Sequence, residues 1–278
     1  MSLNMSELIS VPTSNHALEL PIVRFRKGRE SWEDRDYIIE ERPVAISFNG
    51  IAYTVMMCTP RDIEYFVIGF SLSEGIIQHH REVHDIEINP GPNGIAVDVT
   101  VANRCLRTLK EKRRSLAGMT GCGICGEEKL ETVCRILSPL TTSSTFDICK
   151  LESSLEQLLA KQQLNQLTGS AHAAVYLDKD GQVKAIFEDV GRHIALDKLV
   201  GYIHRHRLEG GAVLVTSRAS FEMVQKAAAA GIEILLAISS ATNMAVELAE
   251  KLNVTLLGYC RPGRADVYAH PERVYGMI

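Results

Sequence analysis

The order of apolar and polar positions divides the chain into a strand-rich first part and a second part in which strands and helices alternate. In the first part, two largely apolar runs over 37–48 and 51–58 flank Asn49-Gly50, a dipeptide typical of a type I′ hairpin turn. Thr59-Pro60-Arg61-Asp62 then offers a capping threonine, a proline for the first helical position and an acid for the first turn. The pattern therefore predicts a hairpin, a buried helix over 63–74, and strands over 83–88 and 95–101.

The second part alternates short runs rich in Val, Ile and Leu with longer helical stretches. Strands over 173–177 and 183–188 are predicted to pair across the turn at 179–181. The elements predicted next are a helix over 192–205, a strand over 212–216, a helix over 221–230, a strand over 232–238, a helix over 244–252 and a strand over 254–259. Because apolar strands between helices are usually covered on both faces, this order predicts an α/β fold with a largely parallel sheet.

The middle of the chain joins these two parts. A basic helical stretch over 103–114 leads into a glycine-rich loop over 115–126, and helices are predicted over 127–137 and 151–164. Between those helices, the proline- and threonine-rich residues 138–144 are the predicted hinge. The predicted domains are a flexible tail over 1–17, a smaller strand-rich N-terminal subdomain over 18–140 that includes the basic helix and the loop, and an α/β domain over 141–278.

Composition and charge narrow the class of protein. The chain has 278 residues, 46% of them hydrophobic, which is enough for a substantial core. Its net charge of −4 gives no overall basic field for nucleic acid. Its apolar runs are too short to span a membrane, and its polar N-terminus does not have the pattern of a secretory signal. The seven cysteines are an odd number, which together with that N-terminus predicts reduced thiols and a cytoplasmic location.

The glycine-rich loop carries Gly121-Cys122-Gly123-Ile124-Cys125-Gly126. The glycines allow the backbone to curl and leave the sulfur atoms open, and the preceding basic residues favour thiolate, the nucleophilic form of cysteine. Three interpretations are open: half of a zinc site, a thioredoxin-like dithiol, or a carrier of sulfane sulfur. The remaining cysteines are isolated, which disfavours four-ligand zinc. A thioredoxin-like motif lies in a βαβ context, whereas these cysteines follow a predicted basic helix and a glycine-rich loop, which disfavours that interpretation.

Four further segments lie where predicted strands and helices meet. Ligands of open α/β sheets bind at the carboxyl ends of strands, and helix N-termini bind anions, so these segments predict a nucleotide-like ligand. Each has an ordinary structural explanation as well: a packed histidine, a helix cap or a solvated arginine. The candidate ligand-binding residues are His172, Arg192, His193, Ser217, Arg218, Tyr259, Cys260, Arg261, Pro262, Gly263 and Arg264.

Taken together, these segments resemble the FdhD family, the formate dehydrogenase accessory sulfurtransferases. The similarity runs from about residue 41 to residue 271, and its parts occur in order along the chain. The segments that carry it are 70–77, 120–126, 168–174, 188–198, 217–225 and 259–264. This ordered set is far more specific than a single pair of cysteines would be.

The resemblance implies a sulfurtransferase that acts through a cysteine persulfide. Such a protein takes sulfur from a cysteine desulfurase onto Cys122, with Cys125 as its helper. It passes the sulfur to molybdenum, or tungsten, in the bis-guanine-dinucleotide pterin cofactor, which formate dehydrogenase needs for activity. The cofactor is bound as a substrate, and its GDP-like moieties would contact residues 259–264. The resemblance also implies a homodimer and a three-layer core similar to that of cytidine deaminase.

Zinc deaminases combine a His-x-Glu motif with a later Pro-Cys-x-x-Cys motif. Here His172 is followed by Ala173 and Ala174, and the cysteine pair precedes it, so we expect no zinc. Two alternatives from other classes remain: a zinc-dependent enzyme related to the nucleotide deaminases, and a non-catalytic chaperone that binds the cofactor.

Overall fold

The computed structural model describes residues 11–12, 16–106, 109 and 137–276. Within these ranges the chain forms fifteen strands in four sheets. The predicted loop over 115–126, with Cys122 and Cys125, lies outside the described residues. Residues 107–108 and 110–114 of the predicted basic helix, and residues 127–136 of the helix predicted over 127–137, also lie outside them.

The first part of the chain is rich in strands, as predicted. A three-stranded antiparallel sheet is followed by a four-stranded sheet of order β5-β4-β7-β6. Asn49 and Gly50 join β4 to β5 with φ values of 49° and 73°, as a type I′ turn requires, so the hairpin is confirmed. The strands are β1 (Val11–Pro12), β2 (Ala17–Arg24), β3 (Trp32–Ile39), β4 (Arg42–Phe48), β5 (Ile51–Cys58), β6 (Val83–Gly91) and β7 (Gly94–Val101).

Helix α1 (Ile63–Ser73) forms where it was predicted, but its predicted cap is wrong. The residue before the helix is Asp62, in a left-handed conformation with φ 55° and without a side-chain capping bond. Thr59 instead bonds to the second half of the chain. Its N–H donates to Asp189 Oδ2 at 3.0 Å, and its hydroxyl oxygen accepts from the N–H of Val190 at 3.2 Å. A partner distant in sequence therefore overrides the local capping pattern.

The second part forms a six-stranded sheet of order β10-β9-β11-β12-β13-β14. Its α/β class is confirmed, but the prediction of a largely parallel sheet is wrong. Only the β11–β12 and β12–β13 pairs are parallel. The hairpin of β9 and β10 and the return strand β14 add antiparallel pairs on both sides of this centre. The strands are β9 (His172–Leu177), β10 (Val183–Asp189), β11 (Ala212–Val215), β12 (Ile234–Ala237), β13 (Thr255–Arg261) and β14 (Arg264–Ala269).

Helices cover both faces of this sheet. Successive strand residues point to opposite faces, so Ala174 and Val213 belong to one hydrophobic core, whereas Val175 and Leu214 belong to another. The predicted helix over 151–164 is two helices that meet at Gln162. The helices of this part are α2 (Leu151–Lys161), α3 (Gln163–Thr168), α4 (Arg192–His206), α5 (Phe221–Ala229) and α6 (Asn243–Leu252).

Helices α1 and α4 cross at two glycines. A Cβ atom added at Gly69 would lie 1.8 Å from the carbonyl oxygen of Asp197, and one added at Gly201 would lie 2.0 Å from that of Tyr65. No side chain fits into such gaps, so the two backbones touch directly. The crossing ties the strand-rich part to the α/β part and fixes the position of α4.

The predicted hinge over 138–144 is bonded to the α/β part. The carboxylate of Glu233 accepts the N–H groups of Ser143 and Ser144 at 2.8 and 2.7 Å, and the N–H of Leu140 donates to Leu252 at 2.9 Å. Just beyond it, β8 (Phe146–Asp147) pairs with β15 (Val274–Tyr275) near the end of the chain. Across the residues that the structure describes, no helix has the length and apolar character needed to cross a membrane.

Candidate functional site

One edge of the six-stranded sheet gathers most of the predicted site residues. The parallel strands β11, β12 and β13 all end there. Strand β9 begins at this edge because it pairs antiparallel with β11, and β10 ends there because it pairs antiparallel with β9. His172 at the start of β9 therefore lies opposite Asp189 at the end of β10. We call this the carboxyl edge. Its position agrees with the rule that open α/β sheets bind ligands beyond the carboxyl ends of their strands.

His172 is held at the carboxyl edge by its neighbour in β9. Ala173 donates its N–H to Thr216 Oγ1 at 2.9 Å and accepts the N–H of Thr216 at 3.0 Å. Burial lowers the pKa of His172, the nearby Arg192 lowers it further, and Asp189 opposes both effects. The imidazole is therefore neutral at neutral pH, and it can both donate and accept a hydrogen bond.

The two acids that precede α4 have separate structural roles. Glu188 accepts the N–H groups of Leu164 and Asn165 at 2.9 and 2.8 Å, so it caps α3 rather than α4. Asp189 Oδ1 accepts the N–H of Gly191 at 2.8 Å, and this bond shapes the turn into α4.

Asp189 also forms a fully buried ion pair. Lys198 Nζ lies 2.7 Å from Asp189 Oδ2, and neither side chain is exposed to solvent. Lys198 also donates to the carbonyl oxygen of Thr59 at 3.1 Å. A buried charge pair is stable only when its remaining hydrogen-bonding groups have partners, and here the backbone of Thr59 supplies them for both charges. The pair therefore fixes the start of α4, which carries Arg192 and His193.

His193 lies one helical turn from Asp197 on α4 and close to α5. Burial lowers its pKa to about 4, and the positive charges of Lys226 and Arg192 add to this, whereas Glu222 opposes it. His172, which lies opposite Asp189 in register, is the last and smallest contributor to this lowering. His172, Arg192 and His193 all lie at the carboxyl edge, where β9 begins and α4 follows β10, and we call them the histidine cluster.

A second buried ion pair lies beneath the histidine cluster, and the sequence analysis missed it. Lys226 Nζ lies 3.0 and 2.8 Å from the two carboxylate oxygens of Asp197, and Ser73 Oγ donates to Asp197 at 2.7 Å. Glu74 lies 4.0 Å from the same ammonium group. The sequence held one signal for it: Asp197 and Lys198 are charged residues inside a run of α4 that is otherwise apolar.

Ser217 and Arg218 follow β11. Ser217 is buried, and its hydroxyl donates to the carbonyl oxygen of Arg218 at 3.0 Å, whereas the Arg218 side chain is exposed. The Ser217 carbonyl accepts the N–H of Ser239 at 3.4 Å, and the Ser239 carbonyl accepts the N–H of Tyr259 at 3.0 Å. These bonds join the ends of β11, β12 and β13 into a continuous edge.

The segment from Tyr259 to Arg264 forms the tip of the β13–β14 hairpin, which we call the arginine hairpin. Arg261 lies opposite Arg264, with Pro262 and Gly263 in the turn between them. The guanidinium of Arg264 lies 4.9 Å from the centre of the Tyr259 ring and 2.9 Å from Asp266. Apart from Cys260, all residues of this tip are exposed.

Cys260 differs from its neighbours. Its side chain is fully buried, and burial raises the pKa of its thiol to about 12. It therefore stays protonated and packs into the core, so that only its backbone faces a ligand at the hairpin. Tyr259, which precedes it, has a left-handed conformation with φ 48°. That conformation costs about 1 kcal/mol or more for a residue with a Cβ, and such strain concentrates at functional sites.

In the described ranges, no three His, Cys, Asp or Glu side chains lie close enough together to hold a metal ion. Cys122 and Cys125 lie outside those ranges, so the expectation that the protein binds no zinc stays a prediction.

The carboxyl edge of this mixed α/β sheet thus presents a neutral histidine cluster and an exposed arginine hairpin, which are groups of the kind that suit an anionic ligand. The profile of the FdhD/NarQ family matches residues 39–275, and the chain belongs to that family. The predicted resemblance is thereby confirmed.

One solved structure supports the same conclusion. It is a crystal structure of a protein from Desulfotalea psychrophila, provisionally assigned as a formate dehydrogenase accessory protein. The similarity has a TM-score of 0.73 and 26% sequence identity, and it covers 93% of this chain and 99% of that one.

Proposed function

We propose that this protein takes part in the maturation of formate dehydrogenase, as a sulfur carrier that delivers sulfur to the pterin cofactor of that enzyme. The observation that carries the proposal is membership of the FdhD/NarQ family along almost the whole chain. The similar protein from Desulfotalea psychrophila, with its assignment as an accessory protein, supports the same role. A cytidine deaminase-like core, a homodimer and a cytoplasmic location belong to the same proposal.

The chemistry begins at Cys122. Its thiolate attacks the outer sulfur of a persulfide on a cysteine desulfurase, the sulfur–sulfur bond breaks, and the desulfurase cysteine leaves as a thiolate. Cys122 then carries the sulfane sulfur. Cys125 attacks the Cys122 sulfur, which forms a disulfide between the two and releases the outer sulfur as hydrosulfide for the metal. A dithiol reductant restores both thiols. These steps remain predictions, because both cysteines lie outside the described residues.

The carboxyl edge supplies groups that suit the guanine-dinucleotide ends of the cofactor. Arg261 is exposed and can bind phosphate through its fork of N–H donors. The Tyr259 ring, already stacked with Arg264, offers an aromatic face for a base. His172 and His193 have lowered pKa values and stay neutral, so they can bond to polar groups without carrying charge. The cofactor is the substrate of the proposed reaction rather than a resident group.

Intact-protein mass spectrometry tests the carrier step. After incubation with a cysteine desulfurase and cysteine, we expect a reducible gain of about 32 Da, one sulfur atom, on the activated thiolate. Cys122→Ala should lose this gain, whereas Cys125→Ala should keep it. Cys149→Ala removes an exposed free thiol that does not belong to the 121–126 segment, and it is the matched control. An undiminished gain in Cys122→Ala, or none in the wild type with active desulfurase, contradicts the proposal.

Binding of GDP tests the substrate site separately. Arg261→Gln and Arg264→Gln should each weaken GDP binding by about tenfold, the cost typical of losing one charge-assisted contact to phosphate. Lys184→Gln is the control, because Lys184 is equally exposed and ion-paired but lies away from the carboxyl edge. If Cys122→Ala fully activates formate dehydrogenase while GDP binding persists, the protein is a cofactor chaperone rather than a sulfur carrier.

A further inference from the structure

A cavity of about 730 Å³ lies at the opposite edge of the six-stranded sheet from the candidate site. It opens where β9 ends and β11 begins, next to the last turn of α4 and the end of α5. We call it the amino-edge cleft. Its size lies in the range typical of sites for small organic molecules. The proposed function does not use it.

Two of the three acids that line the cleft are already bonded to protein groups. Glu82 is buried, accepts the N–H groups of Gln78 and His79, and pairs with Arg104 at 2.6 Å. These bonds lower its pKa to about 2. Glu233 accepts bonds from Ser143 and Ser144, which keep its pKa low as well. Glu209 is exposed at the rim.

Two arginines, Arg81 and Arg207, also line the cleft. Arg81 belongs to the short helical turn His80–Glu82, and Arg207 ends α4 in a left-handed conformation with φ 53°. Among the described residues, neither guanidinium has a carboxylate at ion-pair distance. Both arginines line the cavity together with His80, whereas Arg205 does not. Burial lowers the pKa of His80, and the charges of Arg81, Arg207 and the more distant Arg205 add to this. Two cationic groups from separate elements thus share one cavity with an imidazole.

The histidines of the cleft do not form a metal site in the part of the chain that the structure describes. His204 has its Nε2 atom 3.1 Å from the carbonyl oxygen of Ala230, so that nitrogen is already in use. Burial lowers the pKa of both His80 and His204. Both imidazoles are neutral. His204 already donates its one N–H to Ala230, whereas His80 can donate its N–H to a ligand.

We propose that the amino-edge cleft binds a small molecule that carries a phosphate-type oxyanion, held by Arg81, Arg207 and His80. Guanidinium forks form paired charge-assisted bonds to such an anion, and a neutral imidazole supplies one more donor. The cavity is several times larger than an inorganic anion, so the oxyanion belongs to a larger molecule. This inference does not depend on the proposed function.

The probe is inorganic phosphate, and the measurements are its dissociation constant and the NMR titration of His80. Phosphate should raise the pKa of His80 by about one unit, because an anion beside the imidazole favours its charged form. Arg81→Gln and Arg207→Gln should each weaken phosphate binding by about tenfold. Arg205→Gln is the matched control: Arg205 lies on the same helix end but is paired with Glu64, and its loss should leave the affinity within about twofold.

Two outcomes would overturn the proposal. One is a His80 pKa that phosphate does not move; the other is phosphate affinity that is equal in the wild type and both arginine variants. In either case the arginines serve only to balance the negative end of the α4 dipole. Because Arg207 also ends α4, the Arg81→Gln variant decides the outcome if Arg207→Gln does not fold. Phosphate bound at the arginine hairpin would not move the pKa of His80, so the His80 titration separates this site from the hairpin.

Discussion

The histidine cluster and the arginine hairpin lie at the same sheet edge but are built in different ways. Two fully or nearly fully buried ion pairs, Asp189–Lys198 and Asp197–Lys226, lie beneath the histidine cluster. The arginine hairpin rests on an exposed stacked pair and an exposed ion pair. The first arrangement holds side chains in fixed positions, whereas the second leaves charges open to an incoming ligand. We therefore expect substitutions at the buried ion pairs to change stability, and substitutions at the arginine hairpin to change ligand binding.

The largest expected effect is at the buried pair. Lys198→Met leaves the Asp189 carboxylate buried without its cation, which typically costs about 3–5 kcal/mol in free energy of unfolding. The control is Lys184→Met, which breaks an exposed pair with Asp178 and should cost less than about 1 kcal/mol. Urea denaturation measures both. Equal costs for the two variants would mean that the buried pair does not hold the start of α4.

The next effect concerns the crossing of α1 and α4. Gly201→Ala places a Cβ atom 2.0 Å from the carbonyl oxygen of Tyr65, so the helices must separate, at a cost of about 1–3 kcal/mol. Gly91→Ala is the control, because its nearest contact would be an ordinary 3.5 Å. Thermal unfolding compares the two. A Gly201→Ala protein as stable as Gly91→Ala would contradict direct backbone contact at this crossing.

The pH dependence of stability probes the histidine cluster directly. The pKa of His193 is about 4 in the folded protein, against 6.5 for an ordinary histidine. The unfolded state therefore binds the proton first, so stability is full above pH 6.5 and falls as the pH drops towards 4. Its share of the loss at pH 5 is about 1–2 kcal/mol.

His193→Gln should flatten this part of the stability curve. Glu82, whose pKa is lowered to about 2, loses its stabilising effect only below the ordinary glutamate value of 4.5, so its window lies lower. Denaturation at several pH values separates the two groups. An unchanged slope between pH 6.5 and 4 in His193→Gln would show that His193 is not the group that titrates there.

Features that depend on local patterns are predictable from the sequence, whereas features that depend on distant partners are not. The Asn49-Gly50 hairpin and most helix bounds depend on local patterns, and they were predicted to within a few residues. Thr59 was assigned as a cap because its real partner, Asp189, lies 130 residues away. The sequence shows where strands lie but not which strands pair, so it does not reveal that β9 pairs antiparallel with β11. It also does not predict β14, which returns antiparallel to β13 through a tight hairpin. The cap and the β9–β11 pair both depend on partners that are distant in sequence.

The same distinction between local patterns and distant partners applies to the candidate site. Strand ends and helix starts are visible in the sequence, so His172, Arg192 and His193 were selected and the structure brings them together. The pairing of Asp197 with Lys226 joins two helices, and nothing in either helix alone identifies the partner. Cys260 was selected with its neighbours, although the alternation of a β-strand turns its side chain into the core.

The smallest expected effect on stability is at the arginine hairpin. Arg264→Gln removes an exposed ion pair with Asp266 and a stacking contact with Tyr259, so the free energy of unfolding should change by less than about 1 kcal/mol. GDP binding should nevertheless weaken by about tenfold, whereas Lys198→Met should lose stability first and affinity only as a consequence. Denaturation and GDP titration of both variants test this contrast. If Arg264→Gln were as destabilising as Lys198→Met, or left GDP binding intact, the hairpin would be part of the scaffold rather than the recognition element.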